Sequence, residues 1–220
     1  EEHDNSRCRL QEYKETSRMP GLPVNKCYIR AGNELWISDS TQNGTYRVAD
    51  IRGGVASSNP EYLTPHEPSG KMFFAATAEP DGRELWVTDG TQKGTKLVED
   101  IFVGEMGSNP KFLTLKNSTS LSHTVFFQAR DRQRGEELWI SDGVTETRGN
   151  DNLDEFPGSG KGTQLVKDIC PGSGGSKPHH LVMYDSKLLF YADDCVHGDE
   201  LWVSDGTYSG TSIVRDINPG

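Results

Sequence analysis

The 220-residue sequence predicts an all-β fold, a β-propeller of four-stranded antiparallel blades, on three observations. First, "ELWISDSTQNGT" (34–45) returns as "ELWVTDGTQKGT" (84–95), as "ELWISDG" (137–143) and as "ELWVSDGTYSGT" (200–211). Second, each copy sits among short runs of β-branched and aromatic residues bounded by turn formers. Third, 24 Gly and 11 Pro against 33% hydrophobic residues suit a turn-rich β protein better than a helical bundle. A repeat of roughly 50 residues with four strands marks a propeller blade, which buries both faces only by stacking on neighbours.

The chain divides into an N-terminal extension (1–24) and four units at 25–60, 61–110, 111–178 and 179–220. The first strand, A, is read in "EYLT" (61–64), "KFLTL" (111–115) and "HHLVMY" (179–184); unit one has no convincing counterpart. Strand B is "KCYIRA" (26–31), "KMFFAATA" (71–78), "TVFFQA" (124–129) and "KLLFYA" (187–192). Strand C carries ELW. Strand D runs from "TYRVADI" (45–51) through "TKLVEDI" (95–101) and "TQLVKDI" (163–169) to "TSIVRDI" (211–217). Side chains alternate along a strand, so Leu85 and Val87 share one face and Glu84 and Trp86 the other. Trp36, Trp86, Trp139 and Trp202 are therefore the blade core, each offering an aromatic surface to an adjoining blade. The Asp-Gly pairs after strand C close hairpins: Asp accepts local N–H bonds and Gly takes positive φ. Because these residues recur in every unit, their role is structural; a catalytic constellation would be unique.

The motif resembles the one that names the ELWxxDGT repeat family, whose longer pattern continues toward GTxLVxDIxPG. "ELWVSDGTYSGTSIVRDINPG" (200–220) matches it almost throughout, with Ser40 standing for Gly and Val144 for Thr as departures elsewhere. The resemblance implies an extracellular or surface protein of propeller-like repeats and transfers no catalytic residue. The same hairpin is similar to the Asp-box of sialidase-like propellers, where it is also structural. Four units suit a closed four-bladed ring or part of a larger propeller or array. The missing strand A of unit one and the consensus repeat end at 220 favour the second.

A net charge of −10 with interspersed signs offers no basic face for nucleic acid, and no apolar run is long enough to enter a membrane. Cys8, Cys27, Cys170 and Cys195 lack the close spacing of a zinc site, so two disulfides are expected. Antiparallel order puts the D–A and B–C connections on one face of the stack, which brings Cys170 toward Cys195; Cys8 would then pair with Cys27. With sequons at Asn43 and Asn117, these point to a secreted or cell-surface protein.

The departure from the repeat is the acidic insertion 144–161. It carries Asp154, Glu155 and Phe156 as a candidate interaction loop, and Glu146, Asp151, Asp154 and Glu155 as the candidate calcium ligands; no other cofactor is expected. His179, His180 and His197, near Asp193 and Asp194, resemble a metal site, but strand alternation points His179 and His180 apart. Glu34, Glu84, Glu137 and Glu200 invite a glycosidase reading, yet their repetition makes pairing with a neighbouring Arg or Lys the expectation. The predicted function is a non-catalytic extracellular scaffold or adhesion module that assembles with other protein subunits or further repeats. The alternative is a glycan-binding or glycan-hydrolysing propeller.

Overall fold

The structure, a computed structural model, describes residues 27–31, 34–116, 124–145 and 162–217. Sheet 1 holds β1 (Cys27–Ala31), β2 (Glu34–Ser38) and β3 (Tyr46–Arg47). Sheet 2 holds β4 (Glu61–His66), β5 (Lys71–Ala78), β6 (Gly82–Thr88) and β7 (Lys96–Glu99). Sheet 3 comprises β8 (Lys111–Leu115), β9 (Val125–Asp131), β10 (Gly135–Ser141) and β11 (Thr163–Lys167). Sheet 4 comprises β12 (His179–Tyr184), β13 (Lys187–Asp193), β14 (Asp199–Ser204) and β15 (Ser212–Arg215). Every sheet is an antiparallel meander of consecutive strands.

Strand alternation sets how the sheets stack. In β5 the adjacent Phe73 and Phe74 point to opposite faces, and both are fully buried. Phe74, with Met72, Ala76 and Trp86, packs on Leu35, Ile37 and Val48 of sheet 1. Phe73, with Leu85, Val87 and Val98, packs on Val125, Phe127 and Trp139 of sheet 3. Phe126, Leu138, Ile140 and Val166 of sheet 3 in turn meet Leu188, Phe190 and Trp202 of sheet 4. The motif Leu thus faces the following sheet and the motif Trp the preceding one. Each buried Phe or Leu contributes about 1.5–3 kcal/mol, so stacking is the main stabilising term. Strands β4, β8 and β12 lie side by side, which makes strand A innermost and the arrangement propeller-like. Among the described residues no core cluster joins sheet 4 to sheet 1.

Two local features depart from the sequence reading. Strand D is shorter than expected in sheet 1, where β3 spans only Tyr46–Arg47. The chain leaves the sheet to bring the Ile51 N–H to the Glu34 carboxylate, 3.4 Å away. Strand A carries a bulge in sheets 2 to 4, with Tyr62, Phe112 and His180 at φ of 55°, 56° and 51° and the pairing register shifted around each.

Candidate functional site

The polar groups of the motif form two repeated constellations, one at each end of strand C. At its start a glutamate is buried. Glu84 accepts from the N–H groups of Phe102 (3.2 Å) and Ser108 (2.6 Å) and from the Ser108 hydroxyl. Glu137 accepts from the N–H groups of Ile169, Cys170 and Ser176 and from Ser176 Oγ (2.5 Å). Glu34 does the same with Ile51 and Ser58, and Glu200 accepts from the Ile217 N–H at 2.9 Å. The expected Arg or Lys partners give way to loop donors: each carboxylate gathers the backbone of the D–A connection behind its own strand. Burial pushes Glu84 and Glu137 up to about 7, with the loop hydrogen bonds holding them back. The carbonyl oxygens of Ser58, Ser108 and Ser176 then accept from Thr77, Arg130 and Asp193 in strand B of the next sheet. These serines therefore link one sheet to the next. The sequence signal for them is the Ser before Asn-Pro or Lys-Pro in "SSNP" (57–60), "GSNP" (107–110) and "GSKP" (175–178).

The loop crosses the B–C turn at a pair of glycines. A Cβ on Gly107 (φ 62°) would strike the Arg83 backbone, and Asn109 N donates to Arg83 O at 3.0 Å. Glycine is required there by contact as well as by φ.

At the other end of strand C the carboxylate reaches the surface: Asp89 and Asp205 are exposed, Asp39 and Asp142 half-buried. Asp89 Oδ1 accepts from the N–H (2.9 Å) and hydroxyl (2.7 Å) of Thr91, whose own oxygen accepts from Gly94 N. Asp39 and Asp205 repeat the arrangement with Thr41 and Thr207. In sheet 3 Val144 supplies only its N–H to Asp142, since it has no hydroxyl. The Thr207 hydroxyl lowers the Asp205 pKa most, outweighing burial.

Cys170 and Cys195 are bonded, with Cα atoms 5.4 Å apart, on the face that carries the D–A and B–C connections. His179 and His180 do not point apart: the bulge at His180 breaks the alternation and sets their rings 4.9 Å from each other. His179 Nε2 lies 3.4 Å from Asp199 Oδ2 and His197 Nδ1 2.7 Å from Asp194 Oδ2, the latter carboxylate holding His197 above its ordinary pKa. Among the described residues no three His, Cys, Asp or Glu side chains gather as a metal site. Also on this face, Arg130 and Arg132 lie over the Phe102 ring at 5.2 and 5.5 Å. That ring, with Val103, Met106 and Arg132, lines a depression of about 410 Å³.

Asn43 is exposed in the sheet 1 hairpin. Trp86, Trp139 and Trp202 lie between sheets, and Trp202 Nε1 donates to Ala192 O at 3.1 Å; Trp36 is half-buried on the side of sheet 1 away from sheet 2. The Cys8–Cys27 pairing, Asn117, and Glu146, Asp151, Asp154, Glu155 and Phe156 of the insertion lie outside the described residues. Among the described residues no helix is long and apolar enough to cross a membrane.

No protein-family model matches the chain, and no curated protein matches it. Among solved structures it is similar to the puromycin hydrolase S511A mutant complexed with PGG, at 12% identity and a TM-score of 0.46. That match covers 83% of this chain but 27% of the other, and at this level it carries no argument about fold or activity.

Proposed function

We propose that this chain is a non-catalytic scaffold or adhesion module, secreted or displayed at a cell surface, that assembles with other protein subunits or further repeats. The observation that carries this reading is the engagement of the repeated carboxylates. Glu84 and Glu137, the side chains best suited by type to acid chemistry, are fully buried and turned onto their own loops. A retaining or inverting glycosidase needs two carboxyl groups flanking an open substrate position, and these two face the interior. The Cys170–Cys195 bond and the exposed sequon at Asn43 support an oxidising, extracellular setting.

The alternative of a glycan-acting propeller is supported by the Phe102 depression, an aromatic face beside two guanidinium groups. A broad glycoside panel separates the two. Turnover abolished by one carboxylate substitution would establish an enzyme, and saturable binding lost on Phe102→Ala a lectin. The scaffold reading expects neither, and expects capture of a surface protein that weakens when the acidic residues of 146–155 are reversed in charge.

A further inference from the structure

Each sheet is tied to the next at one pair of positions, and the chemistry of the tie differs from junction to junction. The pairings Phe74–Trp86, Phe127–Trp139 and Phe190–Trp202 align strands B and C of sheets 2, 3 and 4. On that alignment Glu79, Arg132 and Cys195, each five residues past the aligned Phe, are one position in the B–C turn. Arg52, Phe102 and Cys170, each directly after the Ile of the strand D motif, are one position in the D–A connection. The N–H groups of Phe102 and Cys170 each reach the buried Glu of their own sheet at 3.2 Å, so these two backbones are in step.

Among the described residues the two positions meet at all three junctions. From sheet 1 to sheet 2, Arg52 Nε and Nη2 donate to Glu79 Oε1 at 3.1 and 2.8 Å. From sheet 2 to sheet 3, the Arg132 guanidinium lies 5.5 Å from the centre of the Phe102 ring. From sheet 3 to sheet 4, Cys170 is bonded to Cys195, with Cα atoms 5.4 Å apart. An ion pair, a cation–π contact and a covalent bond thus occupy equivalent places. Two of these junctions hold there without a covalent bond. Sheets 3 and 4 are also joined by Phe126, Ile140, Leu188 and Trp202, an apolar cluster that does not include the cysteines. The two cysteines differ in access: Cys170 is buried and Cys195 exposed.

We propose that this pair of positions is the latch of each inter-sheet junction, and that its cysteine copy lets a dithiol open the junction of sheets 3 and 4 while the chain stays folded. A thiolate of the dithiol reaches the exposed Cys195 Sγ, the S–S bond breaks, and Cys170 Sγ leaves with the electron pair and takes up a proton. The second thiol of the reductant then attacks the mixed disulfide. The reductant ends as a disulfide, and the protein gains two thiols. The D–A connection at Cys170 and the turn at Cys195 are released from each other, while the other two latches, which hold no sulfur, are untouched. The latch is the same whether the chain serves as a scaffold or binds glycans.

Reduction of the full, folded chain with dithiothreitol tests this, read by alkylation with peptide mapping of Cys170 and Cys195 and by amide hydrogen exchange. Both cysteines are expected to label before the strands of sheets 3 and 4 lose protection. Exchange at 170–176 and 193–199 is expected to quicken by about tenfold, with β5 and β6 unchanged. Cys170→Ser with Cys195→Ser reproduces that pattern without reductant, which separates it from reduction at Cys8 and Cys27. Arg52→Cys with Glu79→Cys is expected to form a disulfide in air, because the equivalent backbones of the next junctions but one already do so. Labelling of Cys170 and Cys195 only on global unfolding, no local rise in exchange, or a folded Arg52→Cys, Glu79→Cys chain that keeps two free thiols overturns the proposal.

Discussion

Each ELW segment opens and closes on a carboxylic acid, and in sheet 2 the two groups, Glu84 and Asp89, meet opposite conditions. Both accept hydrogen bonds from a nearby N–H and hydroxyl. Glu84 has no exposed surface, and burial, the largest influence, carries it up to about 7. Asp89 sits in an exposed hairpin; burial raises it too, but the Thr91 hydrogen bonds outweigh that and hold it below its ordinary value. Similar donors therefore give opposite titration, because solvent completes the shell of one carboxylate and is excluded from the other. The inner acid fastens a loop to a strand at a desolvation cost. The outer acid closes a turn at little cost.

Removing the inner group breaks this comparison most severely. Glu137→Ala strands the N–H groups of Ile169, Cys170 and Ser176 together with the Ser176 hydroxyl. Each orphaned buried donor costs about 1–3 kcal/mol, so a loss of roughly 3–5 kcal/mol is expected in chemical denaturation. A smaller loss than that from Asp205→Ala would reverse the ranking of the two ends.

Proton linkage gives the next effect. For Glu84 and Glu137 the folded pKa of about 7 stands above the unfolded value of 4.5, so the native state binds protons more tightly. Their contribution is fully present below the unfolded pKa and is lost as pH rises through 7. Between about pH 8 and pH 5.5 the gain is on the order of 2 kcal/mol per carboxyl. Asp89 and Asp205, held low, contribute above their unfolded value of 3.8, and that contribution falls away in stronger acid. Denaturation midpoints are thus expected to peak between about pH 4.5 and 6. The double variant Glu84→Gln, Glu137→Gln flattens the neutral limb. An unchanged slope in that variant would assign the effect to other groups.

At the outer end, Asp205→Ala removes the acceptor for Thr207 N–H and Oγ in a solvent-exposed turn. Water replaces the lost partner, so the expected cost is about 1 kcal/mol. In the same place Asp142, which receives only the Val144 N–H of its hairpin, gives a smaller loss on Asp142→Ala.

The stacking of sheets was legible because a period of two admits only one assignment of Leu85 and Trp86 to faces, and the period recurs. The hairpin role of Asp89 was legible for a related reason: its partner, Thr91, is two residues away. The partners of Glu84 are not. They are N–H groups at 102 and 108, which every residue but proline carries, and one serine hydroxyl 24 residues away, so little in the sequence ties them to Glu84 and a basic partner looked more natural. His179 and His180 were misplaced because a bulge overrides alternation and leaves no mark in composition. Val166 and Val214 likewise read alike in sequence, being the same residue in different surroundings, one buried and the other exposed.

The smallest expected effect tests the hairpins against one another. Gly90, Gly143 and Gly206 hold φ of 86°, 68° and 93°, and Ser40 holds 70° in the same turn. A residue with a Cβ in the left-handed region costs roughly 1 kcal/mol more than glycine, while glycine loses more freedom on folding. Ser40 N donates to Ser38 Oγ at 3.0 Å through the backbone, and a glycine keeps that bond. Ser40→Gly is therefore expected to stabilise the fold by about 0.5 kcal/mol, a rise in Tm of about 1–2 °C. Gly206→Ser, where the same strain is joined by collision with Ile140 and Phe126, is expected to lower Tm by several times that amount. Equal and opposite shifts would mean that φ alone governs the position. The predicted asymmetry would show that an adjoining sheet presses on the hairpin of sheet 4 and that no comparable pressure acts on Ser40.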